Sequence, residues 1–282
     1  MLMNNSLTLS FGDWYGEVSP QFGMNLLKLS YKGKDVLRSP ASSEAFAAEP
    51  FHFGTPLLLP ANRTKGAVFN FQGEEFHLPL NEPQRGNHLH GLMHNAEFTV
   101  VEKTENTITA EYVNGGERYP FPFKLTITDV LNEEGYCREL KIANLGKKSM
   151  PYTLAYHTTF LENEISAPIK ERYEVDKNYI PTGNMLPLDS LEKEIFNSCN
   201  PQGKILSGSY TLNGNIARIG EFLYEFSENF DTLVLFNWGG DKGFICIEPQ
   251  AGAVNGLNSE KCKVIKAGES ETYIHRIEKI NE

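Results

Sequence analysis

The 282-residue chain carries 36 acidic against 26 basic residues, a net charge of −10. That balance argues against nucleic acid and anionic membranes as partners, and it favours a neutral small molecule unless a local basic pocket serves an anion. No window approaches the ~20 apolar residues that span a bilayer. Met1-Leu2-Met3-Asn4-Asn5-Ser6 lacks the basic-then-apolar order of a secretory signal. The four cysteines, Cys137, Cys199, Cys246 and Cys262, are widely spaced with no CxxC pair. They are expected to be reduced, in a cytoplasmic protein that is a monomer or homodimer. The length fits one all-β domain over residues 1–282.

In chain order, Leu7 to Phe11 alternates apolar and polar and turns at Gly12-Asp13, and Met24 to Tyr31 with Lys32 to Asp35 predicts a strand and hairpin turn. Residues 39–50 predict a loop or short helix, followed by a proline-bounded apolar run from Phe53 to Pro60. A hairpin is expected from Ala67 through Gln72-Gly73 to Leu78. Further strands are predicted at Glu97 to Glu102, Thr107 to Val113, Lys124 to Leu131 and Cys137 to Ala143. The stretch 161–205 shows no period and predicts a long excursion, with one helical turn at Leu188 to Ile195. Strands resume at Tyr210, Leu233 to Phe236, Gly243 to Ile247 and Glu271 to Ile277. No amphipathic helical period lasts beyond about ten residues. Many short strands at this spacing predict an antiparallel β-sandwich.

Three of the seven histidines fall within His88-Leu89-His90-Gly91-Leu92-Met93-His94. Imidazole titrates near neutrality, so the cluster points to proton handling or metal ligation, with a chance surface turn as the bland alternative. Two other stretches carry chemistry. Glu248 follows the apolar run Phe244 to Ile247 and precedes Pro249. At the lip of such a strand, burial raises a carboxylate's pKa toward that of a useful base; the alternative is a strand-end ion pair. His157 lies between Tyr156 and Thr158, which suits either a histidine offered to a pocket or a satisfied buried one. Arg63 is either a fork of donors for hydroxyl oxygens or a partner for a surface acid. Proton transfer on a sugar-like substrate calls for one acid and one base, here expected on opposite sides of the substrate.

Pro60-Ala61-Asn62-Arg63, the Gly66 to Gly73 hairpin, Asn87-x-Leu89-His90-Gly91, Pro151 with His157 and Phe160, and Ile247-Glu248-Pro249 with Gly252 and Asn255 follow one another in this order. In that order the chain resembles the aldose 1-epimerases, or mutarotases. The resemblance implies a galactose-mutarotase-like fold, a large antiparallel β-sandwich with a sugar site in a concave face. It makes Glu248 the base that takes the C1 hydroxyl proton and His157 the acid that protonates the ring oxygen. Asn62, Arg63 and His90 are implied to bind sugar oxygens, and Trp238 to contact the ring. Neither a cofactor nor a metal is implied.

The family commonly carries a sugar-binding aspartate ahead of the glutamate, whereas the region Ser207-Gly208-Ser209-Tyr210-Thr211-Leu212 has no carboxylate. Ser207, Ser209 or Tyr210 then offers only neutral partners, so weak discrimination at that hydroxyl and turnover of several neutral aldoses are expected; the alternative is that another acid, such as Asp231 or Asp241, reaches the site. A hexose-6-phosphate 1-epimerase of the same fold would use Arg63, Lys65 and Arg85 around the phosphate. Two other classes compete. A metal-dependent cupin would use His88-x-His90, but no complete ligand set follows it. A non-catalytic carbohydrate-binding protein would stack sugars on Trp238 and Phe160, and leaves Glu248 and His157 unexplained.

Overall fold

The computed structural model describes residues 6–161, 163–260 and 262–280. The expected antiparallel β-sandwich is what it shows. One eight-stranded sheet runs, edge to edge, through Thr99–Lys103, Thr107–Asn114, Phe123–Leu131, Gly135–Asn144, Ser270–Lys279, Phe222–Phe226, Ile216–Ile219 and Ile165–Ser166. The second runs through Pro181–Pro187, Ile169–Val175, Ser207–Leu212, Thr232–Phe236, Phe244–Ala251, Leu154–Tyr156 and Leu57–Leu58, with Thr158–Leu161 also paired to Phe244–Ala251. A four-stranded sheet, Leu7–Phe11, Trp14–Ser19, Asn25–Tyr31 and Lys34–Asp35, completes the N-terminal part.

Period-two patterning builds the first sheet. Phe123–Leu131 alternates buried and half-buried residues without a break, which is what a strand with one face on the core requires. An aromatic layer joins the large sheets. Tyr156 meets His275 at 4.3 Å between ring centroids, Phe160 meets Tyr224 at 5.2 Å, and the Tyr152 and Tyr273 hydroxyls lie 2.6 Å apart.

Two expectations need correction. The stretch 161–205 is no structureless excursion: it supplies the strands Ile169–Val175 and Pro181–Pro187, which form one edge of the second sheet. Its single predicted helical turn is the helix Ser190–Asn197, opened by a capping box between Asp189 and Glu192. Nor does the strand carrying Glu248 end at Pro249. It runs from Phe244 to Ala251 and is buried throughout, so Glu248 stands in mid-strand rather than at a lip.

Candidate active site

Alternation along the strand Phe244–Ala251 sends Ile245, Ile247 and Ala251 into the hydrophobic core. The same alternation turns Phe244, Cys246, Glu248 and Gln250 to the opposite face. Register then aligns a row across the sheet. Ser209 pairs with Val234, and Val234 pairs with Glu248. Thr158 pairs with Ile247, which places His157 opposite Glu248. Residues far apart in the chain thus become lateral neighbours.

His157 Nε2 lies 3.3 Å from Glu248 Oε1, with both side chains almost fully buried. The expected acid and base are therefore in contact instead of separated by the width of a substrate. Burial pushes the Glu248 carboxyl up to about 8, opposed by a hydrogen bond from Gln250 and by the charge of Arg63. Burial, with His52 adding to it, pulls His157 down to about 3. Both shifts favour the uncharged form, so the pair prefers to hold its proton on the carboxyl, with neither group charged. Gln250 Nε2 donates to Glu248 Oε2 at 3.3 Å and fixes the far side of the carboxyl.

The motifs around Arg63 and His90 meet in a two-stranded sheet, with Arg63 opposite Leu89 and Thr64 opposite His88. Asn62 and His90 both take positive φ, 51° and 63°, and the His90 amide donates to the Asn62 carbonyl at 2.8 Å. Gly91 is required here, because a Cβ on it would come within 2.0 Å of the Leu59 carbonyl oxygen. The His90 ring stands edge-on to His157 at 5.3 Å and against Phe51 at 4.7 Å. His88 turns away, its Nδ1 2.6 Å from the Pro79 carbonyl oxygen. The HxH pair therefore does not converge on one ion.

Arg63 reaches the site already engaged. Its Nε and Nη2 bind buried Glu82 at 2.9–3.3 Å, and its Nη1 lies 3.4 Å from Asn62 Oδ1. Arg85 shares the same glutamate at 3.0 Å. A cavity of about 290 Å³ is lined by Asn62, Arg63, Arg172, Tyr179, Ser209 and Val234 among others. His157 and Glu248 are not in its lining, and Val234, the strand neighbour of Glu248, connects the two. Arg172 on its wall pairs with Asp189 and Glu192.

Neither acid suggested as a replacement for the missing aspartate lines this cavity. Asp231 accepts from the Gly252 amide and pairs with Lys263, while exposed Asp241 sits beside Lys242. The acid on the cavity wall is Glu174, whose carboxylate accepts from Thr182 and Asn184.

Trp238, at φ 46° and 43% exposed, is not in the lining of that cavity. Its ring meets His52 at 4.5 Å, and His52 meets His157 at 5.7 Å. Phe51 and His52 went unnoticed in the sequence, where they follow an alanine-rich stretch with no pattern of their own. In the sequence Cys246 sits in the apolar run Phe244 to Ile247, where a free thiol behaves as a small hydrophobe, and only its parity with Glu248 on a strand shows that it faces the site.

A profile of the aldose 1-epimerase family matches residues 7–278. The protein LacX (chromosomal) of Lactococcus lactis is 24% identical over 91% of this chain and 88% of its own length. The galactose mutarotase of Rattus norvegicus is 26% identical over 56% of this chain and 49% of its own. The uncharacterized protein YihR of Escherichia coli is 25% identical, and the match spans 63% of this chain and 59% of that relative's length. Among solved structures, a galactose mutarotase-like protein from Clostridium acetobutylicum superposes with a TM-score of 0.91 at 22% identity, covering 98% of this chain and 95% of that one. The galactose 1-epimerase of Lactobacillus acidophilus gives 0.80 at 18% identity over 97% and 94%. These structural likenesses establish the shared β-sandwich, and the profile match over nearly the whole length shows that the chain belongs to the aldose 1-epimerase family.

Proposed function

We propose that the protein interconverts the α and β anomers of an unphosphorylated aldose, with Glu248 and His157 as its proton-transfer pair. The observation that carries this reading is the buried 3.3 Å contact between His157 Nε2 and Glu248 Oε1.

The pair holds one transferable proton. With that proton on the carboxyl both groups are neutral; moved across the contact, it leaves a carboxylate and an imidazolium. In the second form Glu248 takes the O1 proton while His157 delivers one to the ring oxygen. The C1–O5 bond breaks, C1=O1 forms, and the pair is left neutral. Rotation about C1–C2 presents the other face of the aldehyde. Reclosure with the two roles exchanged yields the other anomer and restores the pair.

O1 and O5 are bonded to the same carbon, so an acid and a base in contact with each other can reach both. The burial that disfavours the ion pair also makes it reactive, since proton transfer to and from the sugar removes both charges. Arg63 and His90, beside the pair, position the sugar and stabilise the developing charge. Asn62 and Trp238 are assigned lesser contacts, one beside Arg63 and one beside His52.

An unphosphorylated substrate is favoured because the guanidinium groups near the cavity already face carboxylates: Arg63 and Arg85 face Glu82, and Arg172 faces Asp189 and Glu192. A phosphate would have to displace them. Polarimetry of fresh α-D-glucose and α-D-galactose tests the reading. Accelerated mutarotation is expected, with loss of acceleration in Glu248→Gln. Activity confined to a 6-phosphate sugar would reassign the substrate, and no acceleration with any aldose would overturn the function.

A further inference from the structure

Cys246 lies two residues before Glu248 on the same face of one strand, so its thiol points to the site and not into the core between the sheets. The donor atoms of His157, Cys246 and Glu248 all lie within 4.8 Å of one another, and all three residues are buried. We propose that these residues form a site for a thiophilic divalent cation such as Zn²⁺, and that its occupation switches the proton-transfer pair off.

One nitrogen, one sulfur and one oxygen donor suit Zn²⁺, which accepts three protein ligands and leaves a fourth position to water. Tetrahedral bonds of about 2.0–2.3 Å hold donors roughly 3.3–3.8 Å apart, so the trio has to close by about 1 Å. Little stands in the way of that closure. The thiol's partner is Thr159 Oγ1 at 3.5 Å, a weak contact. Glu248 offers Oε1 while Oε2 keeps its bond from Gln250, which orients the ligand from behind.

Charge closes as well: a thiolate and a carboxylate neutralise a dication, which removes the main penalty for placing an ion in a buried site. Coordination leaves the imidazole neutral with its proton on Nδ1. The thiol proton, and the carboxyl proton when Glu248 carries one, leave to solvent. The bound ion then occupies both Nε2 and Oε1, the two atoms between which the transferable proton moves.

The inhibitory half of this proposal rests on the acid/base reading, while the binding half stands alone. Titration of the full chain with Co²⁺ separates them. Binding is expected to give a saturable thiolate-to-cobalt charge-transfer band with tetrahedral d–d bands, all displaced by Zn²⁺. Cys246→Ala should abolish the charge-transfer band, and His157→Asn should weaken binding about tenfold or more, taking ligand loss to cost at least what loss of an outer-shell partner does. Absence of the band in the folded chain, or its survival in Cys246→Ala, would overturn the site. His157→Asn binding Co²⁺ as well as the parent would do the same without relying on the cysteine variant to fold. In polarimetry, Zn²⁺ should inhibit the parent, and Cys246→Ala should retain mutarotation and tolerate about tenfold more Zn²⁺. Band formation without inhibition would overturn the regulatory half only.

Discussion

Asp129 and Arg138 are buried in the sandwich as completely as Glu248 and His157, yet the two pairs are built for opposite ends. Asp129 and Arg138 stand opposite each other on neighbouring strands, both with 0% exposure. Arg138 Nε and Nη2 donate to the two carboxylate oxygens at 2.6 and 2.8 Å, and the Tyr136 hydroxyl adds a third bond at 2.7 Å. Burial alone would weaken the guanidinium's hold on its proton, but the charge of Asp129 more than compensates and raises its pKa. That proton never moves. At the site, one long contact and one amide from Gln250 hold the carboxyl, and the partner is an imidazole whose proton can leave. Burial is common to both pairs. Mobility of the proton comes from a partner that can both take and release one and from incomplete hydrogen bonding.

The largest effect that would break this contrast lies in catalysis. Glu248→Gln and His157→Asn should each lower kcat by about 10²–10⁴-fold. The double variant should be little worse than the poorer single one, because the two act on one proton circuit. Near-native kcat in both folded single variants would place the chemistry elsewhere.

Next in size is stability. Asp129→Ala leaves the Arg138 charge buried without its counter-ion and should cost about 3–5 kcal/mol, measured by urea unfolding. Among molecules that remain folded, kcat should be unchanged. A kcat loss matching that of Glu248→Gln would erase the distinction between the pairs.

The pH dependence should be smaller and should separate the two site residues by sign. Glu248 keeps its proton in the folded chain up to about pH 8, where the unfolded chain releases it from 4.5 upward. Its contribution to stability is therefore present below 4.5 and lost as pH rises through about 8. Glu248→Gln removes that loss, so its Tm should gain on the parent's toward alkaline pH. His157, pulled from 6.5 to about 3, contributes stability that is lost as pH falls through that window, and His157→Asn should gain on the acid side. The mutarotation rate should fall above about pH 8 as the pair loses its transferable proton. Thermal melts across pH check the two stability signs and polarimetry across pH checks the third; parallel melting curves for the parent and both variants would count against a neutral buried pair.

The smallest effect concerns the missing carboxylate. Ser209 occupies the cavity end of the row that leads through Val234 to Glu248. A neutral hydroxyl contributes about 0.5–1.5 kcal/mol, so Ser209→Ala should raise KM several-fold with little change in kcat. A loss of 100-fold or more would mean that Ser209 carries the role of a charged partner.

The strands that read clearly in the sequence are those with one face on the core, such as Phe123–Leu131. Two kinds of strand were unreadable. Ile169–Val175 and Pro181–Pro187 are half-exposed along most of their length, so neither face imposes an apolar repeat. Leu154–Tyr156 is buried on both faces, which erases alternation in the other direction. At the site, Glu248, His157, Arg63 and His90 are singled out by the order of weak motifs, since no single one has a distinguishing environment in sequence. That Arg63 is committed to Glu82 depends on a contact across 19 positions, which no local pattern announces. The contact implied between Trp238 and the sugar has no local pattern behind it either; in the fold its ring meets His52, which in turn meets His157.

Gly91 sets the limit on how this site can be re-engineered. Leu59 follows the short strand Leu57–Leu58 and His90 follows the strand Asn87–Leu89, and the two backbones touch at Gly91, a position that has room for hydrogen but not for carbon. A library varied at Ser207 to Ser209 would change the cavity wall and leave the proton circuit in register. A library that admits any side chain at 91 would shift His90 and the Asn62-Arg63 segment together, so its members would lose activity as a block and not one contact at a time.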